Sequence, residues 1–185
     1  MPLFLISASL IIFFIVWTIV TYNSFIKEMN LIKEAWSGID VQLKRRYNLI
    51  PNLVETVKGY SSHEKNLFEN ITKLRSRTTK LNAIVEKAKT ESELSGMLKN
   101  LFAVAEGYPD LKASNNFLDL QKQLSEIEEQ IQYARRYYNG TVRDYNISVE
   151  SIPSNIIAAV FKFKQEQFFE IILVTEKENP EVKFA

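Results

Sequence analysis

The sequence predicts an all-α protein, an N-terminal transmembrane helix continuing into an elongated up-and-down antiparallel bundle of about four helices with short C-terminal helices. Three observations carry that prediction. Residues 3–21 read LFLISASLIIFFIVWTIVT without a charge. After them apolar residues recur at steps of three and four nearly everywhere, the period of a helix with one buried face. No strand-like alternation competes with that period.

The first element is the apolar run. At about 1.5 Å rise per residue its length matches a hydrocarbon core of about 30 Å. A cleavable signal peptide begins with cations, carries a shorter apolar core and ends in small residues. Here no Lys or Arg precedes the run, and Val20, Thr21 and Tyr22 make a poor cleavage site, so an uncleaved anchor is the favoured reading. Lys27, Lys33, Lys44, Arg45 and Arg46 follow it. The positive-inside tendency then puts a very short N-terminus outside and the bulk of the chain in the cytoplasm.

Next, Trp36, Ile39, Leu43, Ile50, Leu53, Val57, Ile71 and Leu74 form one stripe, read as a single helix over residues 22–80. Pro51 lies within it. A proline removes a backbone donor and clashes with the preceding turn, yet the stripe keeps its phase on both sides. A kink in a continuous helix is therefore expected, with a true break capped by Asn48 as the alternative. A second helix is expected over residues 83–106, closed by the turn Gly107-Tyr108-Pro109-Asp110. The third, over residues 113–150, is the most regular, with Phe117, Leu120, Leu124, Ile127, Ile131, Ala134, Tyr138, Val142, Tyr145 and Val149 in steps of three and four. Ser151-Ile152-Pro153-Ser154 closes it, and Ser154 is placed to cap the next helix. The expected domains are residues 1–22 as anchor, 23–150 as bundle, and 151–185 as an apolar C-terminal helical segment.

Composition removes several functions from consideration. Lys plus Arg number 23 against 22 Asp plus Glu, so no global field recruits nucleic acid. Cysteine is absent, which excludes disulfides, thiolate metal sites and thiol nucleophiles. The one histidine, His63, is followed by Glu64, but a di-iron bundle needs Glu-x-x-His on two helices, and position 60 is Tyr. A capping or surface histidine is the simpler reading. The cluster Glu126, Glu128 and Glu129 reads as the polar side of the long helix, and paired carboxylates need a cleft to act as acid and base. Glycosylation-type triplets at Asn70, Asn139 and Asn146 lie in helix-like stretches and are read as chance. No cofactor, no catalytic residue and no metal ligand is expected.

Two long runs carry a resemblance. AWSGIDVQLKRRYNLIPNLVETVKGYSSHEK, residues 35–65, and LFAVAEGYPDLKASNNFLDLQKQLSEIEEQIQYARRYYNGTVRDYN, residues 101–146, resemble the two long motifs of the LemA family of membrane-anchored helical proteins. Tyr22, Asn23, the IPSNIIAAVFKF segment, Phe168 and Phe169 extend the likeness over residues 22–169. Departures are Ile152, where relatives usually place Phe, and a diverged stretch over residues 75–99. The resemblance implies a helical bundle on one N-terminal anchor at the bacterial cell (inner) membrane. It also implies a biochemical role that is not defined, with a magnetosome-associated branch tied to membrane organelle formation, and it supplies no catalytic residues.

The remaining candidates are charges and aromatics. Asp40, Lys44, Arg45 and Arg46 form one group, with Asp40 and Lys44 spaced for a surface pair; Arg135, Arg136, Arg143 and Asp144 form another. Solvated faces and interhelical ion pairs are the plain reading, with Asp40 meeting an arginine of the second group if the helices are antiparallel neighbours. A face for an acidic partner or anionic lipid is the sharper one. Lipid is disfavoured by distance, since Asp40 lies about 28 Å beyond the span on a straight helix, against a Debye length of about 8 Å. At the C-terminus, Phe161, Phe163, Phe168, Phe169 and Ile172 carry surplus apolar surface interrupted by charges. It can dock on the bundle, lie in the membrane interface, or pack against another subunit.

Two functions follow as expectations. The favoured one is a non-enzymatic scaffold or membrane-organising factor, touching the bilayer through residues 3–21 and self-associating as a homo-oligomer. The alternative is an adaptor or regulator bound to one protein partner, such as a membrane protease or sensor kinase.

Overall fold

The computed structural model describes residues 2–61, 63–81 and 83–170, with side chains from residue 4 on. The protein is all-α: among the described residues there are six helices and no strand. They are α1 (Pro2–Lys58), α2 (Lys65–Thr78), α3 (Ile84–Ala105), α4 (Pro109–Lys112), α5 (Asn115–Glu150) and α6 (Ser154–Phe161).

Helix α1 begins in the apolar run and continues through Pro51 without interruption, so the alternative of a break capped by Asn48 is ruled out. From Phe4 to Val20 its large aliphatic and Phe side chains are 53–75 % exposed, a helix apolar all round and uncovered among the described residues. Its hydroxyls are satisfied locally. Ser7, Ser9 and Thr18 donate to the carbonyls of Phe4, Ile6 and Phe14 at 2.8–2.9 Å, which spares them the cost of an unbonded polar group in an apolar medium. Among the described residues this is the one helix long and apolar enough to cross a membrane.

The single helix expected over residues 22–80 is two. Helix α1 stops at Lys58, where Gly59 and Ser61 still donate to the carbonyls of Glu55 and Val57, and α2 restarts at Lys65. Val57 and Ile71 are fourteen residues apart, a sum of threes and fours, so the stripe stays in phase and conceals the break. The turn before α5 tightens into the single-turn α4, with Pro109 in its first turn where a missing donor costs nothing.

Among the described residues the chain packs as two compact units, residues 2–40 with 133–168 and residues 41–132 with 169–170. In the first, α1 and α5 run antiparallel. Phe25 meets Tyr145 edge-on with ring centroids at 6.1 Å, and Trp36 meets Tyr138 at 5.5 Å. Phe25, Ile32, Ala35 and Ile39 on α1 face Tyr138, Val142 and Tyr145 on α5, all buried.

In the second unit, α2 packs on α3, and α3 runs antiparallel to α5, with Ser95 against Glu128 and Phe102 against Phe117. Leu43, Leu53, Ile71, Leu94, Leu101 and Leu111 are fully buried there. Each contributes about 1.5–3 kcal/mol by leaving water.

The apolar C-terminal segment is helical only as far as Phe161. Lys162 adopts the left-handed conformation (φ 61°), and the amides of Lys162 and Phe163 bond back to the carbonyls of Ala159 and Ala158. This pair of bonds is the Schellman motif that ends a helix. Residues 163–170 then run without helix because side chains satisfy their backbone: Asn146 both donates to the Glu166 carbonyl (3.0 Å) and accepts from its amide (2.9 Å). Ser154 does not cap α6. Its hydroxyl instead bonds back to the Ser148 and Ser151 carbonyls, closing the end of α5.

Candidate functional site

The charged feature with the strongest physical consequence is buried in the second unit. On α1, Leu43, Arg46, Ile50 and Leu53 follow steps of three, four and three, so Arg46 occupies a core position and is 1 % exposed. Glu91, Leu94, Leu98 and Leu101 repeat that spacing on α3, which turns the Glu91 carboxylate inward at 4 % exposure. The two side chains form an ion pair. Arg46 also donates to Glu128 on α5 at 2.6 Å and to the Ser95 hydroxyl at 2.9 Å, while the Tyr47 hydroxyl donates to Glu91.

One guanidinium thus holds carboxylates from two other helices. A slip of α3 by one turn would take the buried Glu91 carboxylate away from Arg46, at about 3–5 kcal/mol, and a slip of α5 would break the bond from Arg46 to Glu128. The cluster therefore fixes which turns of the three helices face each other.

Pro51 acquires its role beside this cluster. Having no N–H, it leaves the Tyr47 carbonyl, four residues earlier, without its helical donor. That carbonyl accepts the Arg75 Nε–H from α2 at 2.7 Å. The proline thereby converts one internal bond of α1 into a bond between helices.

Sequence reasoning named Arg46 without its partners. It read Glu128 as solvated, and the structure corrects this: Glu128 is only partly exposed (31 %) and binds Arg46. Glu91 and Arg75 were missed. Glu91 was legible as a charge at a stripe position, whereas no local pattern marks Arg75.

The other predicted charges lie elsewhere. Asp40, Lys44 and Arg45 are exposed, and Arg45 bonds within its own helix to Gln42 at 3.1 Å. Arg135 is half-buried, and Arg136 is exposed over the Tyr133 ring at 4.7 Å. Arg143 pairs with its neighbour Asp144 at 2.8 Å, both well exposed; such a pair is worth about 0–1 kcal/mol. His63 is exposed, and among the described residues no group of three His, Asp or Glu side chains is arranged to hold a metal ion.

The predicted aromatics divide. Within the first unit, Phe163 stacks on Phe25 at 4.7 Å and meets Tyr22 at 5.6 Å, while Phe161 meets Tyr22 at 4.8 Å and stays exposed on its other side. Phe168 is partly exposed and Phe169 is buried; Ile172 lies outside the described residues. The Tyr138 hydroxyl donates to the Gln167 carbonyl at 2.9 Å. Burial, and secondarily the negative charge of Glu166, push its pKa up to about 12. Tyr145 is pushed up by the same causes in the same order, with Glu28 adding to them.

Fold and site together define an all-helical protein whose first helix is a candidate membrane span and whose buried charges pair between helices. Residues 35–184 match the LemA family model, and the chain belongs to the LemA family. It is 23 % identical to magnetosome protein MamQ 2 of Paramagnetospirillum magneticum over 91 % of this chain and 71 % of that protein. Against magnetosome protein MamQ of Magnetospirillum gryphiswaldense it is 20 % identical over 89 % and 70 %. Protein LemA of Metamycoplasma hominis is 27 % identical to it over 74 % of this chain and 63 % of that protein.

Proposed function

We propose that this protein is a non-enzymatic scaffold, anchored by residues 3–21 in the bacterial inner membrane and self-associating through its helical units. In this reading the short N-terminus lies outside and the bulk in the cytoplasm, as Lys27 and Lys33 after the span favour. The observation that carries it is the apolar start of α1, exposed among the described residues yet continuous with the helix that contributes to both packed units. The Arg46 cluster supports a structural role, because Arg46 and Glu91 are buried against each other and Glu128 is bound to the same guanidinium. The relatives named as magnetosome proteins give this reading a functional parallel.

The test is the mass of the full-length protein in mild detergent, measured by light scattering beside a chain beginning at Asn23. A defined assembly that requires the anchor is expected. Monomers in both would overturn self-association and favour the adaptor reading, for which crosslinks from the exposed positions Arg45 and Arg136 to a single stoichiometric partner would be the sign.

A further inference from the structure

Exposed apolar surface in the first unit gathers where the anchor ends. Ile156 and Val160 fall at i and i+4 on one face of α6 and are 57 % and 66 % exposed, and Ile152, in the turn before the helix, is 84 % exposed. Helix α6 is apolar on its other side as well, where Ile157 and Ala158 are buried. It therefore packs with one face and leaves an equally apolar one open.

Its position is set by aromatic contacts. Phe161, its last residue, meets the ring of Tyr22 at 4.8 Å, and Phe163 stacks on Phe25 at 4.7 Å. Tyr22 immediately follows the charge-free run of residues 3–21, at the depth where Tyr and Trp gather between hydrocarbon and water. Two exposed cations, Lys162 and Lys164, follow the helix directly. An apolar face bordered by cations is the pattern of a helix lying in the membrane interface.

We infer that α6 lies flat in the interfacial layer of the membrane that α1 crosses, with Ile152, Ile156 and Val160 among the upper acyl chains and Lys162 and Lys164 against lipid phosphates. This rests on reading residues 3–21 as the anchor. Lipid is the occupant because any surface held against Tyr22 is already at the bilayer boundary. A second copy would need about 800 Å² per partner for a stable contact, more than an eight-residue helix about 12 Å long presents. The protein would then touch the bilayer at two points, and the interface would orient the first unit instead of leaving it free to swivel on its anchor.

Because the chain has no cysteine, single labels test this cleanly. Full-length protein carrying a nitroxide at Ile156→Cys, Val160→Cys, Phe14→Cys or Lys122→Cys is placed in phosphatidylcholine–phosphatidylglycerol vesicles. Accessibility to oxygen, which partitions into lipid, is compared with accessibility to a water-soluble nickel chelate. Positions 156 and 160 should favour oxygen, at depths between position 14 and position 122. Nickel reaching 156 and 160 as freely as 122, with 14 still shielded, would overturn the interfacial placement and leave the anchor standing. Nickel reaching 14 as well would overturn the anchor and this inference with it. Shielding of 156 and 160 from both reagents, with dipolar broadening between labelled copies, would overturn lipid contact in favour of a copy-to-copy face.

Discussion

Replacing Pro51 tests whether the proline is there to free the Tyr47 carbonyl for Arg75. An interior proline costs a helix about 3 kcal/mol relative to alanine, and Pro51 is exposed, so Pro51→Ala should stabilise α1 and lose no packing. The compensation is the 2.7 Å bond from Arg75. A hydrogen bond from a charged donor contributes about 1.5–3 kcal/mol, and half-exposure of Arg75 argues for the lower end. Arg75→Ala should thus cost about 1.5 kcal/mol, or a fall of roughly 3–6 °C in Tm for a chain of this size. In Pro51→Ala the new amide supplies the Tyr47 carbonyl with its helical donor, and the cost of Arg75→Ala should drop by about 1 kcal/mol. Denaturant unfolding of the four proteins in mild detergent, followed by helical circular dichroism, gives this coupling as a double-mutant cycle. If Arg75→Ala cost the same in both backgrounds to within about 0.5 kcal/mol, the limit for independent sites, the proposed role of the proline would be refuted.

Two further predictions concern buried polar groups. Glu91→Ala should destabilise by about 3–5 kcal/mol, because Arg46 stays buried with only Glu128 to balance it. Joint replacement of Arg46 by Met and Glu91 by Leu should be nearly neutral by the same unfolding assay; an equally large loss in the double variant would show that packing, not charge, is what Glu91 supplies. The second concerns alkaline pH. Tyr138 holds its proton more tightly when folded, with a pKa raised from 10.0 to about 12. Its contribution is therefore complete below pH 10 and is lost as pH rises from about 10 towards about 12. Tyr138→Phe should flatten stability over that window, leaving the smaller dependence due to Tyr145, while losing the bond to Gln167 at neutral pH. A stability profile as steep as the parent's would place the alkaline transition elsewhere.

Much of this molecule was legible because helical periodicity is local. The apolar run of residues 3–21, the stripes of α1 and α5 and the end of α3 all follow from which residues can share one helix face. The same rule would have placed Arg46 and Glu91 inside, since both sit at stripe positions, but the charge of Arg46 suggested a surface or an ion pair and Glu91 was passed over. Periodicity failed at Gly59, where an in-phase sum of steps bridged two helices, and at Lys162, where side chains of α5 replaced helical bonds for the residues that follow.

What the sequence by itself determined is the alphabet of elements: an apolar helix long enough to span a bilayer, amphipathic helices after it, and the face each one buries. Those properties come from covalent geometry within a few residues. The tertiary structure alone decided the pairings. Arg46 finds Ser95 and Glu128 at separations of 49 and 82 residues, Arg75 reaches the carbonyl that Pro51 leaves open, and Phe163 returns to the end of the anchor. Such partners depend on the register between helices. That register is set by the packing of all of them at once, so no spacing within one helix can encode it.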